Sequence, residues 1–284
     1  MTYGYQRQGG GGLRLILGAI IALVSLFEYL HHTSVNPVTG EKQHIALTAD
    51  QETQLGLQSA PQMAAEMGGE VPASNPRTQL VREIGERVSA GSDAAKSPYH
   101  FQFHLLADQQ TVNAFALPGG QVFITRGLLD RLENEAELAG VLGHECGHVV
   151  GRHAAEQMAK SQLGQSLVLA TGVAASDRDH GYSTAMIASV VNQMTQLHFS
   201  RGDESAADMF GLRFMTEAGY DPRAMLGVMK ILEDISKGGR QPEFLQTHPY
   251  PEARYAAIQE FLQKNYPNGV PATLTLGRDI RFAR

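Results

Sequence analysis

The chain has 284 residues, 43% of them apolar, and a formal net charge of −6. Its length predicts one main domain plus a short second element, and the apolar fraction can fill a sizeable core. The mildly acidic charge and the lack of a basic stripe argue against nucleic-acid binding, and the single cysteine, Cys146, excludes an internal disulfide.

The N-terminal segment carries basic residues followed by an uncharged apolar run, Leu15 to Phe27. This run suits a signal-peptide core, and a tilted membrane span over residues 13–30 is also compatible with it. No small-residue cleavage site follows the run, so an uncleaved signal anchor is favoured over a cleaved signal peptide. The basic flank predicts residues 1–12 as a cytoplasmic tail, and residues 31–48 are expected to link the anchor to the domain.

Three short strands are predicted ahead of the first long helix of the domain. Phe101 to Ala107 alternates in polarity and is rich in aromatic residues, which is typical of a strand. Val112 to Leu117 and Gln121 to Thr125 are predicted as two further strands, because the turn signal Pro118-Gly119-Gly120 joins them.

An H-E-x-x-H string, His144 to His148, lies inside a segment that is typical of a helix. Asn134 followed by Glu137 has the spacing of a capping box, and apolar residues then recur at helical period. Residues four apart share one helix face, so the two histidines can present their imidazoles to one zinc ion. Glu145 can then take a proton from the attacking water. On the evidence of this string alone, the alternative to a zinc site is a pair of ordinary buried histidines that bind no metal.

The third protein ligand of a catalytic zinc is expected from another element. A helix predicted over Asp203 to Ala218 offers Glu204 and Asp208 one turn apart. Glu204 is the candidate ligand, and Asp208 can accept a hydrogen bond from the outer nitrogen of a ligating histidine. A solvated acidic face is the alternative, although small neighbouring residues favour close helix packing. Asp203 serves as a comparison, because it lies on another face and is expected at solvent or in a cap.

Structural predictions also follow for two further segments and for one more histidine. Residues 162–197 combine an apolar piece with a polar break, which favours a helical pair over the site rather than a membrane-dipping hairpin. Residues 266–284 are predicted as a short tail with one strand at Ala272 to Leu276. His153 follows the zinc pair and is expected to face away from the metal.

Five ordered motifs resemble the HtpX-like and CAAX-prenyl-protease type of zinc metallopeptidase, a glutamate-ligand (gluzincin) family, in the layout of its BepA-like periplasmic members. Besides the H-E-x-x-H string and an S-R-x-x-E-x-x-A-D string over Ser200 to Asp208, they are Asn113 to Gly120, Val122 to Leu129, and Thr247-His248-Pro249 with Arg254. The resemblance covers residues 49–265. It implies an α+β, mainly α-helical, zincin-like domain with one Zn²⁺ per subunit and a small β-sheet whose edge strand flanks the zinc helix.

The resemblance also implies roles beyond the three zinc ligands. Asn113 and Ala114 would bind the backbone of an extended substrate at the edge strand, with an ordinary hairpin packed under the helix as the alternative. His248 would donate to the oxyanion, or approach the zinc as a fourth ligand that keeps the enzyme latent. A plain helix-cap role for His248 is also open. Arg254 would help to stabilise the developing negative charge.

These features predict a zinc endopeptidase for misfolded or misassembled envelope proteins. We expect it to be held in the inner membrane by its N-terminal segment, with the catalytic domain in the periplasm, or secreted to the periplasm after signal cleavage. The alternative is a latent, chaperone-like binding protein that uses the edge strand while His248 plugs the zinc site. A zinc aminopeptidase is disfavoured, because no pocket for a free amine is evident.

Overall fold

The structure is a computed structural model that describes residues 11–172, 198–237, 242–249 and 251–281. Residues 1–10, which form most of the predicted cytoplasmic tail, lie outside the described residues. Residues 173–197 also lie outside them, and most of the helical pair predicted over the site falls there.

The described chain is mainly helical, with two small sheets. In chain order the helices are α1 (Gly11–His31), α2 (Ala49–Glu66), α3 (Pro76–Ala90), α4 (Arg126–Leu129), α5 (Glu135–Val150), α6 (His153–Gly172), α7 (Arg201–Glu217), α8 (Ala224–Lys237), α9 (Glu243–Thr247) and α10 (Pro251–Asn265). The strands are β1 (Ser34–Val35), β2 (Lys42–Gln43), β3 (Gln102–Leu106), β4 (Ala114–Leu117) and β5 (Gln121–Thr125). The predicted α+β, mainly helical fold class is confirmed.

Helix α1 packs against α6 and exposes much of its apolar surface. The exposed apolar side chains are Leu17, Ile20, Leu23, Val24, Leu26, Phe27 and Leu30. Within the ranges that the structure describes, no helix is both long enough and apolar enough to cross a membrane.

The larger sheet has the order β3-β5-β4, in which β5 pairs with β3 in parallel and with β4 in antiparallel fashion. Strand β4 therefore lies at the edge of this sheet, and α5 packs against it. The turn between β4 and β5 requires glycine, because Gly119 and Gly120 have φ angles of 82° and 103°. The predicted arrangement, an edge strand beside the zinc helix, is confirmed.

Helix α5 is the centre of the core, and every one of its residues is buried. It begins as predicted, since the Asn134 side chain accepts a hydrogen bond from the Glu137 amide. Small residues bring it close to α7. A Cβ at Gly147 would lie 3.0 Å from the carbonyl oxygen of Ala207, and one at Gly211 would lie 3.0 Å from the His144 amide nitrogen. This close approach places the acidic side chains of α7 beside the histidines of α5.

The C-terminal tail satisfies backbone groups at the start of α5. The amides of Glu135 and Ala136 donate to the carbonyls of Arg278 (3.1 Å) and Leu276 (3.0 Å). These amides belong to the first turn of the helix, where no intrahelical partner exists. The strand predicted at Ala272 to Leu276 is wrong, because within the described residues Thr275 forms only an isolated bridge with Tyr220.

The segment predicted as a linker, residues 31–48, contains the antiparallel pair β1–β2 and satisfies the other end of α5. The Asn36 side-chain amide donates to the carbonyl of Val150 at 2.7 Å, and that of Gln43 donates to Gly151 at 2.6 Å. Both amide side chains are buried, so they replace water at the last carbonyls of the helix.

Candidate metal centre and active site

Four buried side chains from three parts of the fold converge on one point. They are His144 and His148 of α5, Glu204 of α7 and His248 just after α9, and their potential ligand atoms all lie within 4.8 Å of one another. The Nε2 atoms of His144 and His148 are 3.1 Å apart. Glu204 Oε1 lies 3.4 Å from His148 Nε2, and Glu204 Oε2 lies 3.7 Å from His144 Nε2.

This donor set fits a tetrahedral metal ion. Zinc bonds of about 2.0–2.1 Å place two ligand atoms about 3.3 Å apart, close to the separations in this group. Burial lowers the pKa of His148 well below its usual range, which keeps the imidazole neutral and able to ligate. Burial raises the pKa of Glu204, but His248, His148 and Arg254 outweigh it and hold the pKa well below the usual range. His148 and Glu204 are thus in the protonation states that a metal requires.

Glu145 has the properties of a general base. Its carboxyl group is buried, and its Oε1 atom has no hydrogen-bond partner within the described structure. Burial raises the pKa of Glu145 to about 7, against the opposing effect of His144. A base with a pKa close to neutrality is efficient at physiological pH.

Asp208 and Arg254 lie behind the ligand group. Asp208 Oδ1 lies 2.9 Å from His144 Nδ1, so it can accept the proton of that nitrogen and leave Nε2 free for a metal. Arg254 donates to both Asp208 oxygens at 2.7 Å, and its Nη1 lies 2.9 Å from Glu204 Oε2. The sequence prediction placed Arg254 beside the oxyanion, whereas its guanidinium in the structure is bound to the carboxylates that support the ligands.

His248 is part of the ligand group itself and is fully buried. Its Nδ1 lies 2.9 Å from Glu204 Oε1 and 3.3 Å from His144 Nε2. Its Nε2 has no hydrogen-bond partner within the described residues and lies 3.6 Å from Glu145 Oε1. The ring stacks on Phe244, with centroids 4.4 Å apart. His248 is the C-cap residue of α9, and its ring also lies where a fourth ligand of the metal group would lie.

Asn113 and Ala114 lie at the edge of the larger sheet, but their backbones face opposite ways. The Asn113 carbonyl accepts from the Thr125 amide at 3.0 Å, and the Asn113 amide donates to Thr125 Oγ1 at 3.1 Å. Antiparallel alternation then directs the N–H and C=O groups of Ala114 and Ala116 away from β5, towards the outer edge. Asn113 can contribute only its side chain, whose buried Oδ1 has no partner among the described residues.

His153 is a site residue that the sequence reasoning missed, and the expectation that it faces away is wrong. Its Nδ1 lies 2.9 Å from the Nδ1 of His148, the nitrogen opposite the metal group. The prediction failed because α5 ends at Val150 and the chain turns at Gly151 and Arg152 before α6. The available signal was Gly151, a residue type that often ends a helix.

Asp203 is placed as expected, away from the metal group. Its side chain accepts from the Ser200 amide at 2.9 Å, and the Ser200 hydroxyl accepts from the Asp203 amide at 3.2 Å. This reciprocal pair caps α7 and fixes the first turn, from which Glu204 projects.

The chain resembles known proteins over most of its length. The model of peptidase family M48 matches residues 75–262. The mitochondrial metalloendopeptidase OMA1 of Schizosaccharomyces pombe is 32% identical over 250 residues, which are 87% of this chain and 71% of the relative. The beta-barrel assembly-enhancing proteases of Yersinia pestis and Escherichia coli K12 are 30% and 31% identical, over 95% and 78% of this chain.

The chain covers only about half of the two bacterial relatives, 55% and 45% of their lengths. The family model, in contrast, matches more than half of the chain and includes every predicted metal ligand, the base and the edge strand. The chain therefore belongs to peptidase family M48, and the metallopeptidase that its five motifs predict is confirmed.

Proposed function

We propose that this protein is a zinc endopeptidase that cleaves misfolded or misassembled proteins of the bacterial envelope. The observation that carries the proposal is the convergence of His144, His148 and Glu204 on one point, with Glu145 beside them. Two imidazoles and one carboxylate are the ligand set of catalytic zinc in many metallopeptidases. The names of the relatives, metalloendopeptidase and beta-barrel assembly-enhancing protease, support the substrate class.

The side chains of this site divide the work of hydrolysis. When bound, zinc would lower the pKa of a water and polarise the scissile carbonyl. Glu145 takes the proton of the attacking water and delivers it to the departing amine. Asp208 holds His144 in the ligating tautomer. Ala114 and Ala116 offer their backbone groups to an extended peptide, which joins the sheet as an additional strand.

We place the protein at the inner membrane, with its catalytic domain on the periplasmic side. The exposed apolar side chains of α1 support this proposal, because such a surface is unfavourable in water. The basic residues ahead of the apolar run support the orientation. Release into the periplasm after signal cleavage is the alternative. Fractionation of spheroplasts distinguishes the two, because an anchored protein stays with the membrane and a released one is recovered in the soluble fraction.

The test combines metal analysis with digestion of casein. We expect the purified protein to hold one zinc per chain and to cleave casein, but not short aminoacyl substrates. Glu145→Gln should retain zinc and lose hydrolysis, because the amide cannot accept the water's proton. Glu86→Gln, which changes an exposed glutamate, is the matched control. Cleavage of casein by Glu145→Gln at the wild-type rate contradicts the proposed mechanism.

A further inference from the structure

Arg152 joins α5 to α6 in an unusual backbone conformation. Its φ angle is 56°, in the left-handed region that costs a non-glycine residue about 1–2 kcal/mol. Its buried guanidinium compensates through a set of hydrogen bonds that we call the Arg152 clasp. In this clasp the guanidinium donates to Glu52 Oε1 (2.9 Å from Nε), to Ser34 Oγ (2.6 Å) and to the Leu47 carbonyl (2.8 Å).

The clasp fixes where the next residue, His153, begins α6. A reversal of the chain at Arg152 brings the His153 ring back against α5, where its Nδ1 lies 2.9 Å from His148 Nδ1. Gly151 leaves room for that ring, because a Cβ at position 151 would lie 2.3 Å from His153 Nε2. Three features therefore position the ring of His153: the backbone turn at Arg152, the space left by Gly151 and the contact with His148.

The contact between the two rings determines their tautomers. A metal on His148 Nε2 requires the proton of neutral His148 to be on Nδ1, which then donates. His153 Nδ1 must accept this hydrogen bond, so its own proton is on Nε2. The two histidines of α5 thus each have an acceptor on the outer nitrogen, Asp208 for His144 and His153 for His148.

We propose that His153 is a positioning residue that orients His148 towards the metal, and that the Arg152 clasp holds His153 in place. The inference rests on the proposed function, since it assigns a role to a residue behind the proposed zinc ligands. Outer hydrogen bonds of this kind fix the ring orientation and tautomer of a ligand, and their loss costs about 10- to 100-fold in metal affinity.

The first test measures zinc affinity by competition with a chromophoric chelator. His153→Ala should raise the zinc dissociation constant about 10- to 100-fold. His153→Asn should restore most of the affinity, because its side-chain oxygen can accept at the position of Nδ1. His100→Ala, which removes an exposed histidine outside the metal group, is the control. Wild-type affinity in His153→Ala, or no recovery in His153→Asn, overturns the proposal.

A double-mutant cycle tests the placement of the ring. Gly151 has a helical φ of −69°, so alanine suits the backbone, and the three atoms nearest to its methyl group all belong to the His153 ring. Gly151→Ala should therefore weaken zinc binding in the wild-type background but not in the His153→Ala background. Equal effects of Gly151→Ala in both backgrounds would overturn the proposal.

Two further measurements distinguish a positioning role of His153 from a merely structural one. Comparison with the wild type then distinguishes failure of this inference from failure of the proposed function. Cobalt-substituted His153→Ala should show an altered visible absorption spectrum, and the metal-free variant should unfold near the wild-type urea midpoint. A loss of stability without a change in the spectrum overturns the proposal. If the wild type binds zinc and cleaves casein while His153→Ala keeps wild-type zinc affinity, only this inference fails. If the wild type does neither, the proposed function fails.

Discussion

Arg254 and Asp208 form a buried bidentate ion pair, in which Nε and Nη2 of the guanidinium each lie 2.7 Å from a different carboxylate oxygen. Asp208 also lies 2.9 Å from His144 Nδ1, so one carboxylate connects α10 to the metal group. Burial raises the pKa of Asp208, but Arg254 and His144 outweigh it and lower the pKa overall. The docking of α10 and the orientation of His144 therefore depend on the same contact.

Replacement of this arginine should affect both stability and metal binding. Arg254→Ala leaves buried carboxylates without their cation, and we expect the free energy of unfolding to fall by about 3–5 kcal/mol. Arg254→Lys should recover only part of this loss, because an ammonium cannot pair in the bidentate geometry. Urea denaturation of the metal-free protein provides the measurement.

The control for this prediction is Arg281→Ala, which removes one partner of an ion pair with Asp279 in which both side chains are exposed. An exposed ion pair contributes at most about 1 kcal/mol. Equal losses of unfolding free energy from Arg281→Ala and Arg254→Ala would show that the buried pair near the metal group contributes no more than an exposed one.

Removal of His248 distinguishes a latch from a catalytic donor. The ring lies among the ligands, 3.3 Å from His144 Nε2, so it competes with water for the fourth position. We expect His248→Ala to keep zinc and to cleave casein faster. If the latch stabilises the inactive form by about 1.4 kcal/mol, its removal increases the rate of casein cleavage roughly tenfold. A fall in the rate at unchanged zinc content would instead assign His248 to the oxyanion.

Glu145 should make the stability of the metal-free protein depend on pH. Burial raises its folded pKa to about 7, above the usual value of 4.5, so the folded state holds a proton between these values. The contribution of this carboxyl group to the free energy of unfolding is fully present below pH 4.5. It is lost as the pH rises through 7, because the buried group must then ionise.

The measurement for this prediction compares Glu145→Gln with the wild type by urea denaturation in a chelator. The variant should match the wild type near pH 4 and exceed its free energy of unfolding by up to about 3 kcal/mol at pH 8. Glu86→Gln, at an exposed position, should show no such difference. A pH-independent effect of Glu145→Gln would contradict the assigned burial penalty.

The C-terminal tail should contribute to the stability of the domain. Ile280 is buried at 5% exposure, whereas Leu276 in the same tail is 48% exposed. We expect Ile280→Ala to lower the free energy of unfolding by about 2–4 kcal/mol, and Leu276→Ala to change it by less than about 0.5 kcal/mol. Similar small effects at both positions would mean that the tail is not anchored at the start of α5.

Local signals were sufficient to predict three members of the candidate metal group, His144, His148 and Glu204. The i, i+4 spacing of His144 and His148 and the Asn134 cap are properties of one helix, and both are present in the structure. The prediction of Glu204 depended on a second helix whose small residues allow it to pack closely against α5. The contact between α5 and α7 is of this kind, because glycines lie at it. In each case the deciding residues lie within a few positions of one another, where the period of a helix fixes the geometry.

Long-range contacts could not be predicted in the same way. The position of His153 depends on the φ angle of Arg152, which is stabilised by contacts with distant residues such as Glu52, 100 positions earlier in the chain. The C-terminal segment was predicted only as a short tail with one strand, yet the Arg278 carbonyl accepts a hydrogen bond from the Glu135 amide. Periodicity does not encode such contacts, because they form only when distant elements meet.

The hydrogen bond between α9 and the strand edge has a consequence for how substrate enters. The Phe244 amide donates to the Val112 carbonyl at 3.1 Å, and the His248 amide donates to the Phe244 carbonyl at 2.7 Å. A peptide that extends along β4 as far as Val112 must break the first of these bonds, and the released segment is the one that carries His248. If His248 acts as the proposed latch, a substrate long enough to reach Val112 therefore displaces the segment that holds the latch in place.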